Sequence, residues 1–290
     1  MGVKAGSKVA VWATNLPAWY ITFWATTKLG AVLVTVNTAY KIHEAEYLLK
    51  QSDTHTLILT EGSKDTHYGK IIAELCPELE NTKVGSPLHS RRLPFLRNVI
   101  TVGYNQKGCM TWEDAIERAA QVPVQEVYRM AAAVDKDDVC NMQYTSGTTG
   151  FPKGVMLTHY NVVNNGKYIG DHMDLSTADR MMIQVPMFHC FGMVLSMTSS
   201  MTHGTTMYPL PYFSPKPALA CVHNEHITAF NGVPTMFIAM MQHEDFEKTD
   251  FSYIRTGIMA GSNCPADLMK KATEVMNLKE IVSVYGQTEA

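Results

Sequence analysis

Short apolar runs alternate with amphipathic segments along the chain, and the periods of the two patterns predict the elements. "KVAVWA" (8–13) is β-rich and reads as a strand. Leu16, Trp19, Tyr20, Phe23 and Trp24 follow at the i, i+3, i+4, i+7, i+8 spacing of one helical face, and Gly30 stops that helix. "AVLVTV" (31–36) is the next strand, "IHEAEYLLKQ" (42–51) a helix and "HTLILT" (55–60) a third strand. This βαβαβ order implies a parallel sheet with right-handed crossovers and helices on its faces. The aromatic stripe from Trp19 to Trp24 then serves helix-to-sheet contact rather than a cofactor.

Residues 81–98, rich in Pro, Gly, Ser and Arg, form the clearest loop before "NVITVG" resumes as a strand. "TWEDAIERAAQ" (111–121) is helical, with Thr111 as N-cap facing Asp114. "DVCNMQYTS" (138–146) is a strand and "THYNVVNNGKYIGDHM" (158–173) a helix. A second α/β stretch has strands at 180–186, 204–209, 227–233, 253–261 and 280–286, with a helix starting at Ser214 as N-cap and Pro215 behind it. The fold class is α/β, in two parallel-sheet lobes: a first subdomain over 1–180 and a second over 181–290. Ligands of such sheets bind at the ends of the strands.

Composition narrows the function classes. With 46% hydrophobic and 18% charged residues, the 290-residue chain is an ordinary globular protein. A net charge of -3 gives no electrostatic case for nucleic acid, and the one basic cluster, "HSRRLPFLR" (89–97), reads as a solvated loop. The six cysteines lie more than 30 residues apart, without zinc-knuckle or redox-motif spacing, and read as buried small hydrophobes in a reducing compartment. His223 and His226 have helical i, i+3 spacing but no further ligands in register, so they read as helix surface. No run of 18 apolar residues and no signal peptide is present; a cytoplasmic location is expected, with organelle or peripheral membrane association left open.

The chemistry concentrates in "YTSGTTGFPKG" (144–154). Gly147, Gly150 and Gly154 let the backbone approach a ligand, Thr145, Ser146, Thr148 and Thr149 offer hydroxyls, and Lys153 brings a positive charge. Such a loop suits phosphate oxygens. It is not a Walker A motif, because Pro152 and Gly154 flank the lysine. The stretch resembles the phosphate loop of the adenylate-forming superfamily, which includes acyl-CoA synthetases, luciferases, coumarate ligases and peptide-synthetase adenylation domains. "VYGQTEA" (284–290) resembles that family's Tyr-Gly-x-Thr-Glu motif, and "PMFHCFG" (186–192) and "AGSNCP" (260–265) resemble two further segments in the same order.

The resemblance implies that a carboxylic acid attacks the α-phosphate of ATP, pyrophosphate leaves, and the thiol of coenzyme A takes the acyl group. By similarity, Thr145, Ser146, Gly147, Thr148, Thr149, Gly150 and Lys153 would hold the β- and γ-phosphates. Thr288 would touch the α-phosphate and Glu289 would hold Mg²⁺. Tyr285 and Gly286 would face adenine, with Gly261 and Ser262 at its edge; Asn263 and Cys264 depart from the family pattern there. Taken alone, Tyr285 would be core and Glu289 a solvated acid. His189 matches a position beside the acyl carboxylate, and otherwise reads as a core histidine. "FGMVLSMTSSM" and "VPTMFIAMM" line an acyl tunnel or simply fill the core. Within the family the motifs look most like medium- or long-chain fatty acyl-CoA synthetases. An aromatic-acid ligase, a luciferase-like enzyme and a non-catalytic nucleotide- or acyl-binding module stay open. The family's ribose-binding Asp, hinge and small C-terminal domain would follow Ala290, so the resemblance implies an N-terminal-domain piece truncated at both ends and poorly active alone.

Overall fold

The computed structural model describes residues 1–145 and 150–289. The chain divides into two compact units, Met1–Tyr160 and Asn161–Ala290. In the first, β1 (Lys8–Trp12), α1 (Pro17–Lys28), β2 (Val32–Thr35), α2 (Ile42–Gln51), β3 (Thr54–Thr60), α3 (Tyr68–Leu75), β4 (Asn98–Val102), β5 (Met110–Thr111), α4 (Trp112–Glu117), α5 (Val124–Ala132), β6 (Val139–Thr145) and β7 (Lys153–Thr158) follow in order. They build a seven-stranded sheet, β5-β4-β3-β1-β2-β6-β7. Every pairing is parallel except β6 with β7.

The central strands are buried because helices cover the sheet, which is why they read as unbroken apolar runs. Below them, Trp12 stacks on Tyr68 at 4.3 Å amid Leu57, Leu59, Ile72 and Leu75. On α1, Trp19 and Phe23 are fully buried, as the stripe predicts, and the helix is closed by Gly30 at φ +71°, where a side chain would be strained. Thr111 caps α4 by accepting the Asp114 N–H at 3.1 Å, and the Asp114 carboxylate accepts the Thr111 N–H in return.

Three expectations change. β7 is an antiparallel return strand where only parallel ones were expected, so the strands that flank the candidate phosphate loop pair with each other. The basic stretch 89–97 is solvated only in part: His89 and Arg91 are exposed, but Leu93 and Leu96 are buried, and Arg92 forks onto Glu46 of α2. Two helices, α3 and α5, are additional to those read from the periodicity.

The division falls within α6 (His159–His172). Beyond it come β8 (Arg180–Ile183), α7 (Cys190–Gly192), α8 (Ser199–His203), β9 (Thr206–Pro209), α9 (Pro215–Glu225), β10 (Ala229–Phe230), α10 (Pro234–Met241), β11 (Thr256–Met259), α11 (Ala266–Val275) and β12 (Glu280–Ser283). Their sheet runs β12-β11-β10-β8-β9 and is parallel throughout. Between α7 and α8 the helix widens into a π turn, Met193–Thr198. Pro215 opens α9 as expected, but the Ser214 side chain makes no capping bond. His226 ends that helix with φ +49° and packs its ring, tilted, against Tyr253, while His223 Nδ1 accepts the Asp250 N–H.

At the N-terminal ends of β8, β10 and β11 lies an ion network. Asp179, 3% exposed, takes two bonds from the Arg255 guanidinium, at 3.0 and 2.7 Å, and one from Thr228. Burial works to raise the pKa of its carboxyl, yet these donors and the Ser176 N–H hold it below the usual carboxylate range. Among the described residues no helix is long and apolar enough to cross a membrane.

Candidate active site

In the first unit, the candidate residues sit at the C-terminal end of β6 and the start of β7. Thr145 closes β6 and pairs in register with Lys153, and Tyr144 pairs with Gly154. The pairing places the lysine amine stem and the Thr145 hydroxyl at one end of the hairpin. Gly154 allows this closeness, because a Cβ there would lie 3.1 Å from Met142 Sδ and 3.2 Å from the Tyr144 ring. Lys153 is exposed, and among the described residues it makes no ion pair. Gly150 is exposed with open space around it. Ser146, Gly147, Thr148 and Thr149 lie outside the described residues.

In the second unit the parallel arrangement sends every strand's C-terminal end to the same edge. Past β8 come Pro186–Gly192, past β10 comes Gly232, past β11 come Gly261 and Ser262, and past β12 come Tyr285–Glu289. Four sequence segments up to 100 or so residues apart therefore share one rim, the usual ligand edge of such sheets.

His189 is the N-cap of α7: its Nδ1 accepts the Phe191 N–H at 3.1 Å. Desolvation lowers its pKa although the residue keeps contact with water, and protonating Nδ1 would turn that acceptor against an N–H. The ring is therefore neutral at pH 7, with its proton on Nε2. The core reading of this histidine does not hold. The turn is tight because Gly192 has no side chain: a Cβ would sit 2.2 Å from the Pro186 carbonyl oxygen.

Cys190 Sγ lies 3.6 Å from His189 Nδ1 and 4.0 Å from Thr288 Oγ1. Burial pushes the thiol pKa up, the Thr288 hydroxyl opposes that, and the negative charge of Glu289 adds to the rise. His189, Thr288 and Glu289 are thus neighbours within one unit, although His189 and Thr288 are almost a hundred residues apart in sequence. Glu289 is exposed, and a single carboxylate beside a hydroxyl suits Mg²⁺, which keeps waters and phosphate oxygens as its other ligands. Tyr285 is 90% exposed, with its hydroxyl accepting from Gln287 at 3.0 Å. The core reading of Tyr285 fails because β12 ends two residues earlier, at Ser283. Gly261 has φ +85°, and a Cβ there would press on Val233, so the adenine-edge candidate Ser262 follows a turn that requires glycine.

Sequence reasoning missed Asn231. It is fully buried and donates to the Leu195 carbonyl at 3.1 Å and to Ser196 Oγ at 2.9 Å, both in the π turn, while accepting the Ile258 N–H of β11 at 2.9 Å. One side chain thereby ties the helix behind His189 to the strand that leads into Gly261. A polar residue inside the apolar stretch "ITAFNGV" was the available signal.

The family model for AMP-binding enzymes matches residues 1–290. The chain belongs to the AMP-binding enzyme family. This AMP-binding enzyme chain is 49% identical over 291 residues to YngI of Bacillus subtilis (strain 168), covering 100% of the chain and 53% of that protein. It is 35% identical to the mitochondrial medium-chain acyl-CoA ligase ACSF2 of Danio rerio, covering 99% of the chain and 48% of the ligase. The chain thus spans about half the length of the curated relatives it matches. Among solved structures, the anthranilate CoA ligase AuaEII in complex with anthranoyl-AMP superposes with a TM-score of 0.83 at 24% identity, over 99% of this chain and 50% of that one. The inhibitor-bound N-terminal domain of FACL13 from Mycobacterium tuberculosis gives 0.77 at 24% identity, over 99% and 64%. These likenesses establish the fold of the family's N-terminal domain.

Proposed function

We propose that the protein activates a carboxylic acid, a fatty acid in our reading, with ATP to an acyl-adenylate and passes the acyl group to the thiol of coenzyme A. The observation that carries this is the second unit's rim, where a neutral His189, Thr288 and Glu289 stand together. Family membership and the acyl-CoA ligase name borne by ACSF2 support it.

In this reading a carboxylate oxygen attacks the α-phosphorus, and the bond from that phosphorus to the bridging oxygen breaks, releasing pyrophosphate. A thiol sulfur then attacks the acyl carbon, and the carbon–oxygen bond to AMP breaks. The protein's part is positioning and charge stabilisation. Lys153 and the Thr145 hydroxyl would hold the outer phosphates, with Ser146, Gly147, Thr148, Thr149 and Gly150 completing the loop. Thr288 would donate to the α-phosphate, and His189 would offer its Nε2 proton to the acid's carboxylate oxygen. Tyr285 and Gly286 would meet adenine, with Gly261 and Ser262 at its edge. Glu289 would hold Mg²⁺, which neutralises phosphate charge when bound. Met193, Val194 and Met197 line the helix behind His189, and all three are buried, as an apolar chain's neighbours would be.

The test is the melting temperature of this chain with Mg·ATP and with non-hydrolysable acyl-adenylate analogues of graded length, aromatic acyl groups included. A ligand at about 100 times its Kd stabilises by about 2.7 kcal/mol, a shift of roughly 5–10 °C for a domain of this size. We expect a shift that grows and then levels off with aliphatic length. A larger shift with aromatic analogues would replace the fatty-acid reading, and no shift with any of these ligands would overturn the nucleotide assignment.

A further inference from the structure

Helix α2 lies beside the phosphate hairpin, and two of its side chains, one helical turn apart, grip that hairpin at both roots. On the outgoing side, the Tyr144 hydroxyl of β6 donates to Gln51 Oε1. On the returning side, the Tyr47 hydroxyl donates to the Pro152 carbonyl at 3.2 Å, and the Tyr47 ring stacks on Phe151 at 4.9 Å and 20°. Phe151 is 74% exposed. Residues at i and i+4 face the same way on a helix, so Tyr47 and Gln51 act as one surface. The opposite side of α2 is fixed to the sheet by buried Ala45, Leu48 and Leu49, and Glu46 is tied by Arg92 and Lys50.

The gripped residues flank the chemistry. Tyr144 is followed by Thr145 and Pro152 by Lys153, and Thr145 and Lys153 are cross-strand partners. Gly154 completes the device: opposite Tyr144, it leaves room for the ring that reaches Gln51. A hairpin on a sheet edge has a neighbour on one side only, so without such struts its tip would be set by the turn alone. The Tyr144 ring also packs against the first unit's core, which makes Tyr47 the cleaner probe, and both contacts span about a hundred residues of sequence, 105 for Tyr47 to Pro152 and 93 for Tyr144 to Gln51.

We propose that Tyr47 and Gln51 are positioning residues that hold both roots of the phosphate loop, and through them Thr145 and Lys153, in place for the β- and γ-phosphates of a nucleotide. The proposal rests on the nucleotide reading above. Binding of Mg·ATP and of AMP is measured by calorimetry on the wild-type chain and on Tyr47→Phe, Tyr47→Ala and Gln51→Ala, together with each protein's ligand-free melting temperature. AMP lacks the phosphates that the struts serve, so it separates positioning from general damage. Losing one hydrogen bond and one aromatic stack, Tyr47→Ala should weaken Mg·ATP about tenfold while AMP affinity is kept. Tyr47→Phe keeps the stack and should weaken Mg·ATP about threefold. Wild-type binding of Mg·ATP with all variants unchanged overturns the struts and leaves the nucleotide reading intact. Equal losses for AMP and Mg·ATP, or losses that follow a fall in melting temperature, assign the residues a structural role and overturn the proposal. No wild-type binding of either nucleotide overturns both.

Discussion

The two units bring polar groups to a sheet edge by different means. In the second, the five parallel strands end at a common rim, and loops past the strand ends are fixed locally, by glycine contacts at Gly192 and Gly261 and by the buried Asn231 amide. In the first, the candidate residues ride on the antiparallel pair β6–β7, at the margin of a parallel sheet, and their support comes from outside the sheet through α2. A rim of parallel strand ends is placed by the fold itself, whereas a hairpin tip needs separate anchorage. Disturbing the second unit's supports should therefore cost stability, and disturbing the first unit's supports should cost phosphate affinity with little change in stability.

The sharpest way to break this contrast is at Asp179. Replacing it by Ala removes two charge-assisted bonds from Arg255, which keeps Glu280 and the Met173 and Asp174 carbonyls, and leaves the Ser176 N–H without its acceptor; it should destabilise by about 3 kcal/mol in urea unfolding. A loss below about 1 kcal/mol would show that the second unit does not depend on its buried supports. Next comes Asn231→Leu, which leaves the buried Ile258 N–H without its acceptor, while the Leu195 carbonyl keeps the Ser199 hydroxyl, and should cost roughly 2 kcal/mol. It should also weaken acyl-adenylate analogues beyond what the stability loss explains, since it frees the turn behind His189. The smallest effect belongs to the first unit. The Arg92 and Lys50 bonds hold the Glu46 carboxyl well below the ordinary 4.5, down to about 2. A depressed carboxyl pKa stabilises the fold above its unfolded value, and that contribution is lost as pH falls through the folded one. Wild type and Glu46→Gln should thus differ slightly in melting temperature at pH 6 and converge between about pH 4.5 and about pH 2. A gap that persists at pH 2 would assign the effect to packing rather than charge.

How much the sequence told depended on range. β1, α1, α2 and β3 were readable from period alone, because each buries a run or a stripe that neighbours in sequence define. β7 was not, since Lys153 and Gly154 look like turn residues until Thr145 and Tyr144 are seen opposite them. The loop leucines 88, 93 and 96 were hidden among Pro and Arg, which dominate the composition without deciding what is buried. In the sequence, motif order singled out Thr145 and Lys153 of the first unit and His189, Thr288 and Glu289 of the second as candidates. Asn231, Tyr47 and Gln51 could not be singled out that way, because their partners are distant in the chain and carry no spacing rule.

Cys190 has a further consequence. A mixed anhydride of an acid and AMP is an acylating agent, and any thiolate nearby competes with the intended acceptor. Here the sulfur beside His189 and Thr288 is kept protonated by burial and by the charge of Glu289, and the imidazole next to it already spends Nδ1 on a backbone N–H. Under the function proposed above, the nucleophile beside His189 would thus stay silent, and the acyl group would wait for a thiol that arrives from outside.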